Sequence, residues 1–410
     1  VNWKRTFTLL LFVVMSAAPL SAQTGQPEPL WTAWLYDFTD DRMLLVADDG
    51  RTLQEFTLPA PFGFNPLPSG VAVSNDGAML AYVATNSRTE QLLVLDTVTQ
   101  RIAVTYDFSG DFNSFGILNG PRFVFNEDGS ALAFGYSRDD GRWEIVILDI
   151  STADVIDSLQ DDGPGVSNAL IPESSADVSL LPMILMHHEG TVVFTLIPTR
   201  RHNLPPIGAY EWSIGMDWVS PTLIFGVGGY DVLPETDEVI RAEFDPSLPR
   251  GSEEYHLPNV LIVTDSTTYT KTTFFVDDSH NRAIGLPLFV QGGERILFTG
   301  IDDVDGEFEF DMTLLERDGS VLDVQPSDCT ATGQRRLNDG FLVSCPSGTG
   351  MDLLHVDTTN GTLDETRTVW TSDEVSRITT LIWAGDNRPV SDGPFMEWAQ
   401  VVEPVYIGPE

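Results

Sequence analysis

The chain has 410 residues, of which 61 are acidic and 22 basic, for a formal net charge of −39. Lys4 and Lys271 are its only lysines. That balance argues against nucleic acid or an anionic membrane as partner, because both demand cationic patches.

The first segment, "VNWKRTFTLLLFVVMSAAPLSAQ", has a basic start (Lys4, Arg5), an apolar run from Phe7 to Met15, and then small residues. This is the layout of a secretory signal peptide, and the apolar run is short for a membrane span. Residues 1–23 are expected to be a signal peptide cut close to Ala22. An uncleaved anchor is the alternative. Residues 24–30 then form a short linker, 31–400 one folded body and 401–410 a tail. Val1 fits a GTG start codon translated literally, a bacterial trait. The expected location is extracytoplasmic, periplasmic or secreted, with no stable membrane insertion after cleavage.

The first unit reads "WTAWLYD", a turn "FTDD", then "RMLLVADDGRTLQEFTL". Two units that share a phrase follow: "GVAVSNDGAMLAYVAT" at 70–85 and "RFVFNEDGSALAFGYS" at 122–137. Each has alternating apolar residues on both sides of an Asp-Gly, the mark of a β-hairpin. Gly77 and Gly129 supply the positive φ of the turn. After the hairpins come "LLVLD", "TVTQ" and "RIAVTYDF" in one copy, and "IVILD", "ISTAD" and "VIDSL" in the other. Four short antiparallel strands per unit is the plan of a propeller blade.

Fainter copies follow. "MILMHHEGTVVFTLI" turns at Gly190, and "GMDWVSPTLIFGV" is expected to turn at Ser220-Pro221. "PLFVQGGERILFTG" carries Gly293, and "GQRRLNDGFLVSC" carries Gly340. The first unit lacks an opening strand, and "RITTLIWAGDN", near the end, is expected to supply it. The fold class is therefore all-β, a single propeller closed by a C-terminal strand near 378–386 that pairs with the first blade. Seven blades is the count, with six as the alternative.

The "S/N-x-D-G-x-x-L-A-Y/F" hairpin resembles the WD40-like repeat of TolB-type bacterial propellers. The resemblance is clear over 69–160, fair over 286–370 and poor between. The Trp-Asp dipeptide of true WD40 repeats is missing, and the α/β domain that precedes the TolB propeller is not expected within these 410 residues. What the resemblance implies is a scaffold that binds proteins or ligands on one rim of the ring.

Candidate chemistry is sparse. Asp96, Asp149 and Asp357 each close a third strand, where an Asp accepts local N–H bonds. "DDVDGEFEFD" (302–311) is acidic enough for calcium, but its spacing fails the EF-hand pattern and it falls on a hairpin tip. His187, His188 and Glu189 are the right types for a transition metal, though adjacent histidines on a strand point apart. They read as polar residues of a solvated turn. There is no G-x-S-x-G elbow and no H-E-x-x-H. No cofactor is implied. Cys329 and Cys345 allow one disulfide or two separate buried thiols.

The irregular stretch 160–285 holds segments read as long inserted loops: "DDGPGVSNALIPESSAD", "TRRHNLPPIGAYEW", "GGYDVLPETDE" and "DPSLPRGSEEYHLPN". Long loops in compact repeats often carry function. These hold Arg200, Arg201, Tyr210, Trp212, Tyr230 and Tyr255, residue types that anchor interfaces. They are the expected contacts for a protein or polysaccharide. The expected function is a non-catalytic binding or scaffold module. The alternative is an extracytoplasmic hydrolase or lyase using rim carboxylates, with or without calcium.

Overall fold

The computed structural model describes residues 29–37, 40–58, 71–86, 89–107, 110–111, 123–138, 142–161, 180–188, 190–198, 209–216, 219–222, 230–233, 238–243, 258–265, 270–277, 282–304, 307–327, 329, 335–347, 350–364, 366–372 and 379–386. Within them the regular structure is entirely β, in seven antiparallel sheets.

The first sheet holds β1 (Trp31–Asp37), β2 (Arg42–Ala47) and β3 (Thr52–Thr57). The second holds β4 (Val71–Val73), β5 (Met79–Asn86), β6 (Thr89–Asp96) and β7 (Arg101–Asp107). In the third, β8 (Gly110–Asp111) and β9 (Phe123–Phe125) both pair with β10 (Ala131–Arg138), followed by β11 (Trp143–Asp149) and β12 (Val155–Gln160). The fourth runs β13 (Leu180–His188), β14 (Thr191–Pro198), β15 (Ala209–Ser213) and β16 (Val219–Thr222). The fifth runs β17 (Tyr230–Leu233), β18 (Glu238–Glu243), β19 (Val260–Asp265) and β20 (Lys271–Val276). The sixth runs β21 (Arg282–Val290), β22 (Arg295–Val304), β23 (Glu307–Glu316) and β24 (Val321–Pro326). The seventh runs β25 (Arg335–Leu337), β26 (Gly340–Ser347), β27 (Gly350–Asp357) and β28 (Thr366–Thr371). The last strand, β29 (Thr379–Asp386), joins the first sheet by pairing with β1, from Trp31↔Asp386 to Asp37↔Thr379.

Burial explains the two kinds of strand in the sequence. β1 is buried along its whole length, and β11 nearly so, because each lies between two apolar layers. Their sequences are accordingly near-continuous apolar runs. Fourth strands such as β7 and β24 alternate, since one face meets water. Apolar cores fill the spaces between the first and second sheets, the second and third, the third and fourth, the fifth and sixth, the sixth and seventh, and the seventh and first. Opening strands of successive sheets also lie together: β29 on β4, β4 on β9, β9 on β13, β17 on β21, β21 on β25, and β25 on β29. The described residues give no such core between the fourth and fifth sheets, whose connection, 223–229, lies outside them.

Polar bonds cross the same joints. Asn75 Nδ2 donates to the Glu127 carbonyl at 3.0 Å, and the Gly215 N–H to Asp157 Oδ2 at 2.6 Å. The Leu363 N–H donates to Asp323 Oδ2 at 2.8 Å. Arg367 Nη2 donates to the Asp48 carbonyl at 3.0 Å, linking the seventh sheet to the first.

Two expectations need correction. Ser220-Pro221 is not a turn: β16 runs through it and pairs Tyr210 with Pro221 and Glu211 with Ser220. A fourth strand has a free outer edge, so proline's missing N–H leaves no ladder bond broken there. Likewise, two of the supposed insertions contain strands, β15 within "TRRHNLPPIGAYEW" and β17 within "GGYDVLPETDE". Their flanking prolines and glycines gave loop signals that outweighed the short apolar runs.

Candidate functional site

Of the residues expected to meet a partner, Arg200, Arg201 and Tyr255 lie outside the described residues. Tyr230 opens β17 opposite Arg241. Tyr210 and Trp212 are placed in the core instead of on a rim loop, at 4% and 1% exposure. They face the third sheet with Trp143, Phe194 and Ile184. The Tyr210 ring centroid is 5.6 Å from that of Phe194, and Trp212 Nε1–H donates to the Met216 carbonyl at 3.1 Å. A short strand presenting alternate aromatics inward is the physical reason, and it makes these two side chains packing residues.

The turn aspartates act as expected. Asp96 Oδ1 accepts the N–H groups of Val98 and Thr99 at 2.9 and 3.0 Å. Asp149 does the same for Ser151 and Thr152, and Asp357 accepts from Thr359. Asp128 and Asp318 are held below the usual carboxylate range chiefly by their bonds to Ser130 and Ser320. The acidic 302–311 segment is a hairpin whose ladder extends to Val304↔Glu307. Two of its carboxylates turn towards Arg282. That guanidinium is 2.8 Å from Asp277 and 3.9 Å from Asp302, bonds Asp311, and lies 5.4 Å from the centre of the Phe298 ring. Burial, together with Asp311, Asp277 and Glu309, pushes the Asp302 carboxyl up against the pull of Arg282. Arg282 is the cation that faces Asp302 and Asp311 among the described residues.

His187 is not solvated, as the sequence suggested, but 2% exposed within the joint between the third and fourth sheets. Among the described residues no group of three His, Cys, Asp or Glu is placed to hold a metal. Cys329 and Cys345 form a disulfide that ties the connection after β24 to β26. Both sulfurs belong to the core between the sixth and seventh sheets.

The charged group that sequence reasoning missed lies where opening strands converge. Asp231 of β17 is fully buried; its Oδ2 accepts the Phe289 N–H of β21 at 2.6 Å and is 3.5 Å from Arg336 Nη1 of β25. One carboxylate thus joins the fifth, sixth and seventh sheets. Its neighbour Arg335 continues the chain of contacts, donating from Nε to the Ile382 carbonyl of β29 at 3.2 Å. The signal was present as "RR" in a chain poor in cations. Chemically this is an ion pair with its hydrogen bonds directed into the scaffold.

No protein-family profile matches this chain, and no curated protein matches it in sequence. Solved structures do. A prolyl endopeptidase aligns at a TM-score of 0.50 and 12% identity, over 86% of this chain and 51% of its own. TolB from Acinetobacter baumannii aligns at 0.39 and 16%, over 74% and 66%. A putative 6-phosphogluconolactonase from Bacteroides uniformis aligns at 0.47 and 12%, over 87% and 99%. The fold is that of a β-propeller. At such identities the likeness speaks of fold alone, and the chain spans about half of the endopeptidase and about two thirds of TolB.

Proposed function

We propose that this protein is a seven-bladed propeller of the TolB-type WD40-like kind, exported from the cytoplasm, that binds a protein or polysaccharide and performs no catalysis. Its ring is closed by β29 on β1. The seven sheets, the β29–β1 register and the cores on either side of the first sheet support that architecture.

The observation that carries the binding reading is where the polar chemistry goes. Five of the described arginines are engaged in joints: Arg282 with three carboxylates, Arg295 with the Thr358 carbonyl, Arg317 with Glu238, Arg335 with β29 and Arg336 with Asp231. Turn aspartates are engaged with their own backbones. The strands are scaffold, and recognition belongs to the rim loops of the fourth and fifth blades, with Arg200, Arg201 and Tyr255 as contacts. With these five arginines drawn into joints, the excess of carboxylates over the remaining cations favours a partner carrying positive charge.

The test is an unbiased pull-down from the extracytoplasmic fraction with the mature chain. Replacing Arg200, Arg201 and Tyr255 by alanine is expected to abolish capture without moving the Tm. Capture unchanged by the triple variant overturns this placement. A Tm raised by added Ca²⁺ favours a metal-assisted hydrolase or lyase.

A further inference from the structure

The turn at Gly190 departs from the pattern shared by the turns at Gly77 and Gly129. Ser74 and Asn126 sit three residues before Gly77 and Gly129, and each caps its own turn. Ser74 Oγ accepts the Met79 N–H at 2.9 Å, and Asn126 Oδ1 accepts the Ala131 N–H at 2.8 Å. The same place before Gly190 is His187, paired with Val192 five residues on. Its Nδ1 is buried with no hydrogen-bond partner, and the ring bonds the Val124 carbonyl of β9, in the third sheet. Here a side chain that elsewhere closes its own turn reaches across to the neighbouring sheet.

We propose that the joint between the third and fourth sheets is a proton-operated latch, shut while His187 is neutral and released when it is charged. A neutral imidazole has one N–H, and Val124 accepts it. A second proton would go to Nδ1, creating an N–H with no acceptor and a cation inside an apolar joint. Among the described residues the charged group acting on the ring is Asp128, on the turn of the third sheet. The flanking strands β9 and β14 present Val124 and Val192. Asp128 is itself bonded to the Ser130 N–H at 3.0 Å and held below the usual range, so it stays ionised throughout the window considered. Burial outweighs its attraction, and the His187 pKa falls from 6.5 to about 4.

The direction follows from proton counting. Once the joint opens, His187 regains its ordinary affinity and binds a proton that the closed joint refuses. Support for the closed form is complete above pH 6.5 and declines as the pH falls to about 4. The limit is roughly 300-fold in the opening equilibrium, at tenfold per unit. The uncharged caps Ser74 and Asn126 give the earlier joints no such dependence. Release would uncover Ile184, Val192 and Phe194, which pack on Ala133, Ile145 and Ile147.

The experiment is amide hydrogen exchange on the intact protein from pH 7 to 4.5, corrected for the intrinsic rate. Amides of β13 and β14 are expected to open up to ~100-fold more at pH 4.5, approaching one proton taken up per opening, while those of β5 change far less. His187→Asn and His187→Ser, the residues at this place before Gly129 and Gly77, are expected to flatten that rise. An equal rise at every joint, a rise that persists in either variant, or a His187 ring titrating near 6.5 in the folded protein overturns the latch. The ring titration and the wild-type exchange decide the matter even where a variant does not fold.

Discussion

Trp34 Nε1–H donates to the carbonyl of Gly77 at 3.1 Å, across 43 residues of sequence. The indole belongs to β1, and the carbonyl to the repeated turn of the second sheet. The turn phrase therefore shapes a hairpin and also offers a backbone group to the preceding blade. An added Cβ at Gly77, whose φ is +72°, would lie 3.1 Å from the Trp383 ring. At Gly190, with φ +76°, a Cβ would meet nothing within 4 Å. Gly77→Ala is expected to cost about 2–3 kcal/mol, and Gly190→Ala about 1, by urea denaturation. Equal costs would show that the contact with Trp383 is unimportant.

Removing the chain from Ser376 onward deletes β29. Leu381, Ile382 and Trp383 lose their burial, and β1 gains a bare edge. At roughly 1.5–3 kcal/mol per buried side chain, the loss rivals the whole stability of a domain. The truncated chain is expected to be insoluble or unfolded by circular dichroism. A melting temperature close to that of the full chain would rule out closure by this strand.

Tyr210→Ala and Trp212→Ala are each expected to destabilise by about 3–5 kcal/mol, as large core truncations do. Trp212→Phe should cost less, since it keeps most of the apolar contact and loses the bond to Met216. Arg201→Ala should leave the melting temperature within a degree or two. A Trp212→Ala protein that melts normally would show that the strand places this ring elsewhere.

Replacing both Cys329 and Cys345 by serine opens a loop with a sequence separation of 16. The chain-entropy estimate is about 3 kcal/mol. Dithiothreitol should lower the wild-type melting temperature and leave the double variant unmoved. The loss belongs to the core between the sixth and seventh sheets, so exchange in β26 should respond before exchange in β5.

At a net charge of −39 the folded chain repels itself more strongly than the unfolded one. Buried joint pairs such as Asp231–Arg336 are screened less than surface carboxylates are. Raising NaCl from low to physiological concentration is therefore expected to raise the urea midpoint. A midpoint that falls with salt would mean that exposed ion pairs dominate.

Period-two alternation, Asp-Gly spacing and a first unit short of one strand were enough to derive four-stranded repeats and the pairing of β29 with β1. These are local signals, or follow from one count along the chain, because a strand declares its buried face in its own residues. Tyr210 and Trp212 show where such reading stops. Aromatics beside prolines look the same in sequence whether a loop holds them out or a five-residue strand turns them in. Ser220-Pro221 looked like a turn until an outer edge was available to take the proline. His187 and Asp231 go further still. Their surroundings come from sheets 58 or more residues away (in the case of Asp231 and Phe289) or from a neighbouring blade, so burial and partner were set by how blades stack. Alternation and turns are written residue by residue, whereas the charge state of a buried group depends on which surface the neighbouring sheet brings against it.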